Sequence, residues 1–210
     1  MSVREVAAAV GVSRGTASLW LRDVPLAPDQ RAALAARNPI YSSQTTGADA
    51  KAAIARVRRA RWQQEGRVRA RERDPDYVAG CMLYWAEGTK DRNQLRLTNS
   101  DPSMIGFFAR FLRRQFAVPD DRFRVWCNLF ADHQDRQAAV ENFWLAVVGV
   151  SRACLRKSAV NVYSRYTKRK RTNLLLYGTC QLIVCSTEVV QTIYGSIQEL
   201  GGFDRPEWLG

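Results

Sequence analysis

Residues 77–116 read YVAGCMLYWAEGTKDRNQLRLTNSDPSMIGFFARFLRRQF, and their order of elements decides the fold. A mostly apolar helix over 76–87 runs into an acid-glycine step, Glu87-Gly88. A short strand follows at 94–98, where the two-residue period turns Leu95 and Leu97 to one side. Asn99-Ser100-Asp101-Pro102 is a turn that becomes a helix start. Asp101 supplies a capping oxygen, and Pro102 takes the first helical position, where a missing N–H costs nothing. Met104, Phe107, Phe108, Phe111 and Leu112 then recur at helical spacing and predict a strongly amphipathic helix.

Mixed α and β patterning continues to the C-terminus. Over 122–130, Phe123, Val125, Cys127 and Leu129 alternate with Arg122, Arg124, Trp126 and Asn128. A helix is predicted over 135–148, with Val140, Phe143, Trp144 and Val147 as its apolar stripe. Val160 and Val162 alternate with Asn161, Tyr163 and Arg165. A basic loop at 167–171, TKRKR, leads to a strand over 174–185. Ser186 or Thr187 caps a last helix, whose stripe is Val190, Ile193, Tyr194 and Ile197 and whose first turn holds Glu188, favourably placed for the dipole. Strand, cap and amphipathic helix thus occur twice, at 94–112 and 180–197, either as a duplication or as two ordinary strand-helix units. The fold class is α+β.

The first forty residues have a different character. Val3, Val6, Ala7 and Val10 line one helix face, Gly11 sits at a turn where positive φ is often needed, and Ser13 can cap a second helix with Ala17, Trp20 and Leu21 as its stripe. The spacing resembles the bacterial helix-turn-helix pattern. The resemblance implies that the second helix presents Ser13, Arg14, Gly15, Ser18 and Arg22 to a major groove; a plain helical hairpin is the alternative. A short helix over about 28–37 closes this domain, and the polar run at 41–50 reads as a linker. Residues 51–73 hold nine basic side chains against Glu65 and Glu72 and predict a basic helix. It either lies along a phosphate backbone through residues such as Arg58 and Arg59, or is a solvated linker. The division is 1–40, helix-turn-helix; 41–75, linker with basic helix; 76–202, the α+β domain; and 203–210, a tail.

Net charge is +12, which calls for a polyanionic partner, since basic surfaces release counterions from nucleic acid. Among the 32 basic residues Arg far outnumbers Lys, and its planar fork suits phosphates and guanine edges. The chain shows no apolar run long enough to span a membrane and no secretory signal, so no membrane partner and a cytoplasmic, nucleoid-associated location are expected. Cysteines 81, 127, 154, 180 and 185 form no CxxC pair and His133 is the only histidine, which argues against structural zinc and for reduced, mostly buried thiols.

At 80–88, GCMLYWAEG resembles a divergent LAGLIDADG motif, with Ala86, Glu87 and Gly88 matching its closing Ala-Asp-Gly. The RLTNSDPSMIGFFARFL that follows is similar to the next strand and helix of such domains. The resemblance covers 77–200 and implies a curved antiparallel sheet covered by helices, whose outward face saddles DNA. The polar alternating positions, Gln94, Arg96, Arg122, Arg124, Asn128, Asn161, Tyr163, Arg165 and Gln181, with Arg169 and Arg171 in the basic loop, would then be the DNA contacts; a simply solvated face is the alternative. In cutting members of the family the carboxylate ending the motif helix holds a divalent metal. Here that residue is Glu87, Mg²⁺ suits its hard oxygens, and Lys168 and Lys170 are candidates to stabilise phosphate charge. One motif per chain implies a homodimer, although Tyr84 and Trp85 bring bulk where the family packs small residues.

Three functions follow as expectations. The first is a regulatory, sequence-specific double-stranded DNA-binding protein, similar to bacterial regulators that join a helix-turn-helix to a non-cutting LAGLIDADG domain, although in the opposite order. The second is a Mg²⁺-dependent homing-type endonuclease acting as a homodimer. The third is an RNA-binding or purely structural basic module, disfavoured because the chain lacks the aromatic-basic strand signature of RNA-recognition sheets.

Overall fold

Strand parity organises the larger part of the molecule. In the computed structural model, which describes residues 1–36, 39–161 and 175–209, four strands form one mixed sheet in the order β1-β4-β2-β3. These are β1 (Leu95–Asn99), β2 (Phe123–Phe130), β3 (Ala159–Asn161) and β4 (Thr179–Val184). Register aligns Leu95, Val184 and Phe123 in one row, and Leu97, Leu182 and Val125 in the next. All six side chains are buried, and each contributes about 1.5–3 kcal/mol by leaving water.

The chain divides into two compact units, Met1–Ala55 and Arg56–Gly210. In the first, α1 (Val3–Val10) is closed by Gly11 in the left-handed conformation at φ 73°, and α2 (Arg14–Trp20) is capped by Ser13. The two helices bury Ala7 and Ala17. Trp20 does not join an apolar stripe as expected: it is 59% exposed, because a contact made by two alanines is too narrow to enclose an indole. Helix α3 spans Pro28–Ala36. Helix α4 spans Pro39–Arg71, so the polar run at 41–50 is helical rather than an irregular linker.

The second unit contains the end of α4 with α5 (Pro75–Glu87), α6 (Pro102–Phe116), α7 (Gln137–Val148) and α8 (Thr187–Gly201). Asp74, Asp101 and Ser186 cap α5, α6 and α8 through their side-chain oxygens. The 135–148 helix begins two residues late, after a 3₁₀ segment over 131–136. In α6 the buried face is Ile105, Phe108, Ala109, Phe111 and Leu112, whereas Met104, expected inside, is exposed. The apolar arc of α6 is wider than the face it packs, and burial is centred on the small Gly106 and Ala109 side.

The sheet is mixed, not antiparallel throughout: β3 runs parallel to β2, with Leu129 opposite Val160. Chain path explains this, since α7 carries the chain back across the layer before β3 begins, and a crossover of that kind returns parallel.

Close backbone approach locks α4 to α8. A Cβ on Gly66 would overlap the Thr192 carbonyl, and one on Gly195 would overlap the Gln63 carbonyl. Around this crossing the buried amides chain together: Gln198 donates to Gln63 at 3.0 Å, Gln63 to Gln191 at 2.8 Å, and Gln191 to the Trp208 carbonyl at 3.3 Å. Ser196 donates to the Gly66 carbonyl at 2.9 Å, which leaves its oxygen to accept from the Tyr77 hydroxyl at 2.7 Å. Gly195→Ala is therefore expected to destabilise the protein by about 3 kcal/mol, read as a lowered urea midpoint. Gly47→Ala, with nothing near its Cβ, is expected to leave the midpoint unchanged or raise it.

Candidate nucleic-acid interface

Helices α5, α6 and α7 pack on the sheet face carrying the buried rows. The opposite face carries the complementary parity: Arg96, Ile183 and Arg124 form one row, Thr98, Gln181 and Trp126 the next, and Thr179, Asn128 and Ala159 a third. Of the expected contacts, Arg96, Arg124, Asn128, Asn161 and Gln181 therefore share this face. Gln94 and Arg122 lie just outside the strands and are engaged, Gln94 donating to Asp91 at 3.2 Å and Arg122 to the Cys185 carbonyl at 3.2 Å. Tyr163, Arg165, Lys168, Arg169, Lys170 and Arg171 fall outside the described residues.

The face is polar but not inert. Arg96 has a buried Nε without a hydrogen-bond partner among the described residues, and its terminal nitrogen lies 3.5 Å from Asp91. Arg124 turns one nitrogen to the Asp121 and Phe123 carbonyls at 2.6 and 2.7 Å. Gln181 donates to Thr98 at 2.9 Å. Trp126 also belongs to this face, at the position strand alternation assigns it beside Arg124 and Asn128.

In the first unit Arg14, Gly15, Ser18 and Arg22 are exposed. Ser13 is occupied with capping, its Oγ accepting from Thr16 N at 3.1 Å. On α4, Arg58 is exposed but Arg59 is 8% exposed and donates from Nε to the Leu209 carbonyl at 2.6 Å. Arg59 thus braces the C-terminus instead of lying along a phosphate chain. Three further arginines of this helix are also held within the second unit: Arg71 pairs with Glu199 at 2.7 Å, Arg67 with Asp204, and Arg69 lies 4.4 Å above the Tyr77 ring.

Glu87 stands exposed at the end of α5, with the Asn99 amide 3.5 Å from its carboxylate. Lys90 does not pair with it. The ammonium instead donates to the Trp85 carbonyl at 3.0 Å and the Tyr84 carbonyl at 3.2 Å, stabilising the negative end of the helix. Partial desolvation, and then the Arg205 charge, lower the Lys90 pKa. Tyr84 is buried against Phe108, stacked at 5.7 Å, and Trp85 packs on Phe203 at 5.3 Å. Tyr84 lies inside the core, whereas Trp85 is 40% exposed; Ala79 and Ala86 are exposed on α5, and Met82 and Leu83 are partly buried against the core. Gly80 faces inward, where a Cβ would overlap the Phe111 ring.

The remaining chemically suggestive groups are structural. Four of the five cysteines are buried and all are free; burial pushes the Cys81 thiol up to about 12 and Cys127 to about 11, which suppresses the thiolate. Among the described residues no group of three or more His, Cys, Asp or Glu side chains could hold a metal ion, and no helix is long and apolar enough to cross a membrane. Glu141 is buried and accepts from Gln137 and Ser158, each at 2.8 Å, and from Arg152 at 2.7 Å. Burial alone would raise its pKa, but these donors prevail and lower it. A carboxylate held below its unfolded value contributes stability above that value and loses it as pH falls through the folded one. Glu141→Gln is expected to cost about 2 kcal/mol at pH 7. In denaturant titrations across pH, that cost should shrink as the solution is acidified below about pH 4.

Comparison with family models, curated proteins and solved structures finds no match to this chain.

Proposed function

We propose that this chain is a sequence-specific double-stranded DNA-binding protein with a regulatory role. The N-terminal helix pair acts as a helix-turn-helix reader, and the outward face of a LAGLIDADG-like sheet acts as a second contact surface. The observation that carries the reading is the convergence of Arg96, Arg124, Asn128 and Gln181 on one sheet face in a chain of net charge +12. These are the side chains that pair bidentately with guanine or adenine edges or hold phosphates. The outer face of α5, with small Ala79 and Ala86 at either end, suits a second copy, so the DNA-binding form is a homodimer.

A homing-type endonuclease is the second reading, favoured by Glu87 lying exposed at the end of the motif-like helix. The donor set argues against it. Within one chain the described residues offer Mg²⁺ one carboxylate with a neighbouring amide 3.5 Å away, so cutting would need a second carboxylate from another copy and water for the rest of the shell. The regulatory reading is therefore preferred.

Arg96→Ala with Arg124→Ala is expected to weaken duplex binding and to reduce the slope of log K against log salt by about 2, one unit for each lost phosphate contact. An unchanged slope would remove the sheet face from the interface. Arg14→Ala is expected to flatten discrimination between target and scrambled duplexes in competition binding; undiminished discrimination would remove α2 as a base reader. With Mg²⁺ or Mn²⁺ the protein is expected to leave its bound DNA uncut. Cleavage that disappears in Glu87→Gln while binding survives would replace the regulatory reading with the nuclease.

A further inference from the structure

The outward sheet face carries a tryptophan near its middle. Trp126 lies on β2, in the row with Gln181 and Thr98, and is flanked along its own strand by Arg124 and Asn128. Its ring is partly exposed, and its indole N–H has no hydrogen-bond partner among the described residues. The contrast with Trp144 is informative: that indole is buried and donates to the Tyr177 carbonyl at 2.8 Å, as an indole serving the core should. Trp126 packs on no other aromatic ring among the described residues. It therefore presents a partly exposed ring with no ring or hydrogen-bond partner among the described residues, amid guanidinium and amide groups.

We infer that Trp126 is a base-stacking platform and that the sheet face takes an unpaired base of the bound DNA. The inference rests on the nucleic-acid reading proposed above and narrows its substrate. Bases within a duplex are stacked and show the grooves only their edges. A ring standing on a sheet can meet the face of a base only when that base has left the stack. The neighbours suit such a base. Arg124 and Asn128 lie two positions away on either side, about 6.6 Å along a strand, within reach of the phosphates flanking a base held on the indole. The Arg96 guanidinium stands one row over, on β1 across β4. Since the proposed function is duplex binding and the indole takes an unpaired base, the preferred DNA is a duplex interrupted by unpaired bases.

Fluorescence anisotropy with the full chain tests this on three labelled DNAs of one sequence: a perfect 24-base-pair duplex, the same duplex with three central mismatched positions, and the single strand. Wild-type protein is expected to bind the interrupted duplex more tightly than the perfect one. Trp126→Ala should weaken binding to the interrupted duplex and single strand roughly tenfold, with less than a twofold effect on the perfect duplex. Trp126→Phe, which keeps a stacking face, should retain most of the preference, and equal melting temperatures would exclude a folding defect. Equal weakening of all three DNAs in Trp126→Ala would overturn the inference and make the indole an ordinary groove contact. Unaltered binding by Trp126→Ala would also overturn it while leaving DNA binding intact. No binding of any DNA by the wild type would instead sink the underlying nucleic-acid reading.

Discussion

Everything proposed for the second unit depends on strand parity held by the buried rows Leu95–Val184–Phe123 and Leu97–Leu182–Val125. A strand has a side-chain period of two, so a slip of one residue would exchange its faces. Slipping β2 alone would drive Arg124, Trp126 and Asn128 into the helical layer and expose Phe123, Val125 and Leu129. With three large side chains at about 1.5–3 kcal/mol each, such a slip would forfeit an amount comparable to a small domain's whole margin of stability, before the burial of Arg124 and Asn128 is added. The apolar core therefore dictates which polar groups reach the outward face. Nothing else is needed to gather Arg96, Arg124, Asn128 and Gln181 there.

Helix crossing exerts a second constraint, and it redistributes the chain's positive charge. The glycine contacts between α4 and α8 bring the basic helix so close that Arg59, Arg67, Arg69 and Arg71 find partners inside the unit. A run that reads as a phosphate-binding arm is to a large extent a brace. Among the described residues still exposed to a polyanion are Lys51 and Arg58 on that helix and Arg14 and Arg22 of the first unit, beside the arginines of the sheet face. Glu87 belongs to the same picture. It is an exposed carboxylate with the Asn99 amide 3.5 Å away, a sparse donor set for a self-contained metal site.

Local signals in the sequence were legible. Asp101-Pro102, Ser13 and Ser186 mark helix starts because a capping oxygen or a ring-locked φ acts within one turn. The alternation at 123–130 exposes the sheet's two faces because burial there follows one neighbour layer. Features that depend on partners distant in sequence were not legible. The parallel pairing of β3 arises from the path of the chain, and the role of Gln63 and Gly66 arises from residues about 130 positions away, Gln191 and Ser196 among them. Trp20 and Met104 carried correct helical spacing but lie where nothing large covers them. Trp126 is apolar among polar neighbours, and its place in the strand is the signal that it shares their face.

Photocrosslinking the full chain to duplex DNA, with the attached peptides identified by mass spectrometry, addresses the central claim most directly. The account predicts crosslinks on two surfaces: the segment 14–22 of the first unit and the strand segments 96–98, 124–128 and 179–183 of the second. Crosslinks confined to 14–22, or falling on the outer surfaces of α6 and α7, would contradict the assignment of the sheet face to DNA.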